Sequence, residues 1–159
     1  LISNHEHHEI HEGASFNYSD SISLNASITQ NYLIITPNTD KLAHFIIYID
    51  SIGILDIGLF EDSDRLGTTA QSVINANRNS TNINTTLIYK DINGGTTDGV
   101  KIYGYKSGSV TKQVGSYIDH NSEIILKKNT KYLLKLTSES ATNLINIGLS
   151  WYEHTNLPS

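Results

Sequence analysis

Residues 143–154, "NLINIGLSWYEH", set Ile145, Ile147, Leu149 and Trp151 against Asn146, Gly148, Ser150 and Tyr152. Side chains along a strand point alternately to its two sides, so this period of two gathers four large apolar groups on one face. Just upstream, "KYLLKLTS" at 131–138 sets Tyr132, Leu134 and Leu136 against Leu133, Lys135 and Thr137, and "SESATN" at 138–143 links the segments as a polar loop. The pair predicts an antiparallel hairpin.

The same reading extends outward. In "HFIIYIDSIGILDIGLFED" (44–62), apolar runs at 44–49 and 54–60 are broken by Asp50, Ser51 and Gly53. Apolar side chains on both faces predict covered, central strands. "SEIILKKNTKY" predicts a strand at 123–127 and a tight turn from Lys128 to Thr130. "TTLIYKD" and "VKIYGYKS" flank the glycine-rich "DINGGTTDG" and are expected to pair across it. The stretch "RLGTTAQSVINANRNSTNINTT" (65–86) has few large apolar residues and predicts a long surface excursion, with a short strand or helix near 70–76. With segments near 16–19, 22–28, 32–36 and 100–106, about ten short strands result, and helix signals are scarce. The expected fold is all-β: an antiparallel two-sheet β-sandwich, jelly-roll-like, over residues 16–159, with an extended N-terminal arm at 1–15. A β-helix is the weaker alternative, because no fixed repeat is visible.

Composition agrees. Hydrophobic residues make up 38% and charged residues 17% of the 159, the remainder being rich in Asn, Ser, Thr and Gly, which suits strands and turns better than helices. A net charge of −5 with only Arg65 and Arg78 as arginines lacks the electrostatic footprint that phosphate binding requires, so no nucleic-acid partner is expected. No membrane partner is expected either, since no apolar run reaches spanning length. The absence of cysteine removes disulfides and thiolate chemistry. The chain also has no methionine, and Leu1 is expected not to be the genetic start.

Four histidines and three glutamates crowd "HEHHEIHE" at 5–12. In an extended chain His5 and His7 share a side, whereas in a helix His7 and His11 lie one turn apart. Either arrangement can chelate a divalent ion with Glu9 or Glu12 as oxygen ligand. Structural sites draw ligands from two separated segments, however, so the expected reading is a polar arm without metal or other cofactor. Catalytic signals are sparse, and no enzyme is expected: there is no G-x-S-x-G elbow, and His44, His120 and His154 lie near acids such as Asp40, Asp119 and Glu153 with nothing in the sequence to join them. Glu61, Asp62 and Asp64 in "LFEDSD" read as a solvated turn or at most a calcium site. Tyr48, Tyr103, Tyr105, Tyr117 and Trp151 raise carbohydrate binding as an alternative. Trp151 belongs to the core by its alternation, while Tyr103 and Tyr105 share a face that is expected to be exposed.

Several segments together resemble a family of small β-rich virion proteins of tailed bacteriophages, the capsid decoration or auxiliary head proteins. They are "HHEIHEGASF" (7–16), "YLIITPNTDKLAHF" (32–45), "LFED" (59–62), "NRNS" (77–80), "NTKYLLKLTS" (129–138) and "LSWYEHT" (149–155). The likeness reaches across most of the chain and is weakest over 83–118. It implies a non-enzymatic protein made in the host cytoplasm that docks on the capsid exterior of the virion. Its partner would be the major capsid protein, and its own state a homo-oligomer, with a trimer favoured. The alternative is a carbohydrate-binding β-sandwich module of a head fibre or adhesin.

Docking is expected to fall on the arm, at His5, His7, His8, Glu9, His11, Glu12 and Phe16. The next candidate is the rigid turn carrying Thr36, Pro37, Asn38, Asp40 and Lys41. A segment whose aliphatic anchors are Leu1, Ile2 and Ile10 has too little apolar surface to order itself alone. Its imidazoles charge below about pH 6.5, which makes attachment pH-sensitive.

Overall fold

The computed structural model describes the backbone of residues 2–108, 116–117 and 123–155, and the side chains of residues 7–108 and 123–155. Among the described residues a helix, α1 (Ile2–His11), precedes twelve strands: β1 (Ser15–Leu24), β2 (Thr29–Ile35), β3 (Lys41–Ser51), β4 (Leu55–Glu61), β5 (Leu66–Ala70), β6 (Ile74–Asn75), β7 (Leu87–Gly94), β8 (Val100–Ser107), β9 (Ser116–Tyr117), β10 (Ile124–Ile125), β11 (Lys131–Ser138) and β12 (Asn143–Thr155). One sheet runs β10-β3-β12-β1-β6, with β9 also on β3. The other runs β5-β7-β2-β11-β4-β8.

This is the expected two-sheet sandwich, and its order is that of a jelly roll. Taken in chain order, β1, β2, β3, β4, β8, β10, β11 and β12 are eight strands arranged first-eighth-third-sixth in one sheet and second-seventh-fourth-fifth in the other. The excursion at 65–86 supplies β5 and β6, and together with β7 these widen both sheets. The inward faces meet in one core, where Trp151 stacks on Phe45 at 4.7 Å and Phe16 packs beside it at 6.0 Å. Each such fully buried side chain stabilises the fold by roughly 2–3 kcal/mol relative to exposure.

Four local expectations are corrected. The segments "KYLLKLTS" and "NLINIGLSWYEH" are not a hairpin: β11 pairs with β2 and β4, while β12 pairs with β1 and β3. Their apolar faces meet across the sandwich instead of along a shared edge. Nor do β7 and β8 pair across the glycine-rich loop. They lie on β2 and β4 respectively, so the loop crosses the sheet. The segments 16–19 and 22–28 are one strand through Leu24 followed by a turn. Finally, the N-terminal segment is helical over Ile2–His11 rather than extended.

The outer faces of the two sheets differ. On the second sheet Leu33, Leu133 and Phe60 align across β2, β11 and β4. Leu33 and Leu133 are completely buried although strand alternation turns them away from the inter-sheet core. Connections 62–66 and 95–99 are tied over that face. Asp98 takes an Arg65 Nε hydrogen bond at 2.8 Å and a Lys135 Nζ hydrogen bond at 3.0 Å, and Lys131 Nζ donates to the Arg65 carbonyl at 3.1 Å. The first sheet presents instead a row of Ser15, Asn17, Ser19, Ser21 and Ser23 beside Asn146, Gly148 and Ser150.

Candidate functional site

One end of the sandwich gathers α1, the start of β1, the β2–β3 turn, the turn before β11 and the end of β12. The helix stops because Gly13 takes φ +73°, where any other residue is strained, and a Cβ at Gly13 would lie 2.2 Å from Ser80 Oγ. The carbonyls it leaves are claimed by the asparagine-rich loop. Asn77 Nδ2 donates to His11 O at 3.1 Å, Asn82 Nδ2 to Glu12 O at 3.2 Å and Asn75 Nδ2 to Gly13 O at 2.9 Å. Asn, Ser and Thr read as surface excursion because they carry little apolar area. Here they cap a helix from a distance.

Glu9 turns inward, 2% exposed, with Oε1 3.1 Å from His154 Nδ1 at the end of β12. The adjacent Glu153 points into the sandwich, where its carboxylate accepts hydrogen bonds from Thr85 N, Thr85 Oγ1, Thr86 N and Trp151 Nε1 at 2.8–3.0 Å. His154 thus meets Glu9, which is remote in sequence, and not its neighbour. His44, nearly buried, stacks on Tyr152 at 4.5 Å with 17° between the rings, and its Nδ1 lies 3.5 Å from Glu123. Asp40 pairs with Lys128 at 3.2 Å rather than with a histidine.

The docking candidates divide by burial. Phe16 is core, Glu9 faces His154, and Thr36 is buried, its hydroxyl bonded to the carbonyls of Lys127 and Thr130. His7, His8, His11, Glu12, Asn38, Asp40 and Lys41 are exposed, and Pro37 is half-buried. His5 lies on α1, but its side chain is outside the described residues. His7 and His11 are one helical turn apart with Nε2 atoms 3.0 Å from one another, and His8 lies 3.1 Å from Glu12. Among the described residues, no group of three or more His, Cys, Asp or Glu is placed to hold a metal ion. The two docking stretches, remote in sequence, converge: Lys41 pairs with Thr155, next to the His154 that receives Glu9.

Two acids of "LFEDSD", Glu61 and Asp64, have partners. Glu61 accepts from Lys127 Nζ at 2.7 Å and Tyr132 OH at 2.9 Å. The Lys127 hydrogen bond, opposed by partial burial and aided by Tyr132, holds its carboxyl below the usual carboxylate range. Asp64 accepts from Thr96 N, Thr96 Oγ1 and Thr97 N. His120 and Asp119 lie outside the described residues, as does the side chain of Tyr117.

The open sheet face holds a second feature. A groove of about 380 Å³ runs from Ile10 of α1 to Tyr48, over Ser15, Asn17, Ile46, Gly148 and Ser150, with His44 and Tyr152 at one side. Tyr103 and Tyr105, expected on an exposed face, sit opposite Leu59 and Ile57 and pack against the core. Among the described residues the most exposed aromatic on either sheet is Tyr48, at 46% exposure. The alternation of "SFNYSDSISL" was the available signal for this face. No protein-family model matches the chain, and no curated protein matches it.

Proposed function

We propose that this protein is a non-enzymatic structural component of a tailed-phage virion that binds the outer surface of the assembled capsid and reinforces it. One observation carries the reading. Parts of the segments that resemble decoration proteins, scattered from residue 7 to residue 155, meet at one end of the sandwich, although "NTKYLLKLTS" continues along β11 to Ser138 at the other. Glu9 reaches His154, Asn77 caps His11, Lys41 pairs with Thr155, the Asn129 N–H donates to the Pro37 carbonyl, and Glu61 joins Tyr132.

On this reading the major capsid protein meets the exposed side chains of that end: His7, His8, His11 and Glu12 from α1 with Asn38, Asp40 and Lys41 from the turn. A trimer on a local symmetry axis is the assembly that the resemblance implies. The test is co-sedimentation with purified shells of the major capsid protein encoded beside this chain's gene. The parent is expected to bind saturably, and a variant carrying His7→Ala, His11→Ala, Asp40→Ala and Lys41→Ala is expected to fold and to lose most of that binding. Absence of saturable binding by the parent, or full binding by the variant, sinks the reading.

A further inference from the structure

We propose that the groove on the open sheet face binds a neutral saccharide, with the Tyr48 ring as its stacking platform. This goes beyond shell binding and does not rest on it. A half-exposed tyrosine on a strand is ordinary, but this ring is held in place. Tyr48 OH donates to Asp50 Oδ2 at 2.8 Å, Asn146 Nδ2 donates to Asp50 Oδ1 at 3.0 Å, and Ser21 Oγ donates to Asn146 Oδ1 at 2.7 Å. Three strands therefore fix the orientation of one surface aromatic. Such fixing lowers the cost of ordering on binding.

The floor suits the same ligand. Gly148 pairs with Tyr48, and a Cβ there would lie 3.7 Å from the Tyr48 Cβ, so the glycine leaves the ring's neighbour flat. The next rung is Asn17, Ser150 and Ile46, and beyond it stands the stacked pair of His44 and Tyr152. Four residues of strand separate Tyr48 from His44, about 13 Å, which accommodates a short oligosaccharide. No Lys, Arg, Asp or Glu is among the described residues that line the groove. That disfavours phosphorylated, nucleic or strongly charged ligands. An extended peptide would find no free ladder here, because the backbones of β1, β12 and β3 are paired with each other. Hydroxyls and amides beside apolar ring faces match a polyol, whose C–H faces stack while its hydroxyls hydrogen-bond.

The experiment is saturation-transfer NMR on the purified full chain with methyl glucoside, maltose, cellobiose, lactose and chitobiose. Emission of Trp151, the sole tryptophan, which sits in β12 between the groove residues Ser150 and Tyr152 with its ring in the core, gives a second readout. At least one sugar is expected to bind saturably. Tyr48→Ala should weaken it about tenfold, Gly148→Val should abolish it by filling the floor, and Lys106→Ala on the other sheet should leave it unchanged. Should Gly148→Val fail to fold, Tyr48→Leu removes the platform without touching the core. The proposal is overturned if none of the five sugars binds saturably, or if the Tyr48 variants bind as the parent does. Loss of shell binding in Gly148→Val with no sugar response would assign the groove to a protein partner, and overturns it equally.

Discussion

The two sheets of this sandwich share one core but treat their outer faces in opposite ways. Over β2, β11 and β4 the chain folds back on itself, so that Leu33 and Leu133 are as buried as anything in the core and Asp98 clasps Arg65 and Lys135 above them. Over β1, β12 and β3 no comparable cover is found among the described residues: the outward positions of β1 are Ser and Asn, Gly148 and Ser150 lie beside them, Ile46, Tyr48 and Tyr152 line the groove, and Leu144, Ile74 and Ile125 are exposed outside it. A β-sandwich can leave either face wet, so closing one with crossing loops gives that face a share in stability that the other does not have, and leaves the other for the saccharide site proposed above. The closed face is a second, smaller core. The open face is held in shape by the hydrogen bonds that join Tyr48, Asp50, Asn146 and Ser21.

The largest expected effect comes from breaking the closed face. Leu133→Ala removes a fully buried side chain that does not belong to the inter-sheet core. It should nevertheless cost about 3 kcal/mol, as at a core site, read from the urea midpoint at constant m-value. A loss under about 1 kcal/mol would mean that the crossing loops are a loose cover, and the contrast between the faces would fall. Next is the helix that bounds the open face. Gly13→Ala forces a side chain onto a φ of +73° and against Ser80 Oγ, and should cost about 2 kcal/mol. Thermal melting reports it, and an unchanged melting temperature would show that α1 is not latched to the asparagine loop.

The clasp over the closed face adds a pH dependence. Partial burial works to raise the Asp98 carboxyl pKa, but hydrogen bonds from Lys135 and Arg65 outweigh it and hold it below the usual range. A folded pKa beneath the unfolded value of about 3.9 contributes stability that is complete above that value and lost as pH falls through the folded one. Asp98→Asn should therefore cost about 1 kcal/mol at pH 7, discounted for the partial exposure of the three groups. The variant and parent should converge in urea titrations near pH 2. A gap that persists in acid would assign the loss to packing rather than to charge.

How far the sequence discloses this arrangement depends on whether the deciding interaction is local. Alternation at 143–154 and 131–138 gave two strands with inward Trp151, Leu134 and Leu136, and the structure keeps them. It could not say that they face each other across the core, because a corner loop and a hairpin loop have the same polar composition. In β1 the inward Asp20, satisfied by Tyr32 OH at 2.7 Å and Lys90 Nζ at 2.8 Å, interrupts the apolar pattern and makes one strand read as two. The helix at 2–11 was hidden for a related reason. Its anchor Glu9 finds its partner 145 residues later and its caps at 75–82, so neither propensity nor local capping signals announce it.

The smallest expected effect tests why the open face has its composition. Ser19 points outward from β1 opposite Gly148, in a position where strand chemistry favours Thr or Val. If the face were selected for stability alone, such residues would line it. Ser19→Thr should raise stability by a few tenths of a kcal/mol, measured as a small upward shift of the urea midpoint, because the β-branched side chain meets only solvent and its strand neighbours. The same substitution puts a methyl group among the hydroxyls of Ser21 and Ser150, the amide of Asn17 and the bare backbone of Gly148, with the Tyr48 ring beyond. A loss greater than about 0.5 kcal/mol would reveal close packing above Ser19, and the face would then be a covered one like its counterpart. A gain would mean that serine is retained there at the expense of stability, as expected where a flat, polar, uncharged surface is kept for something to rest on.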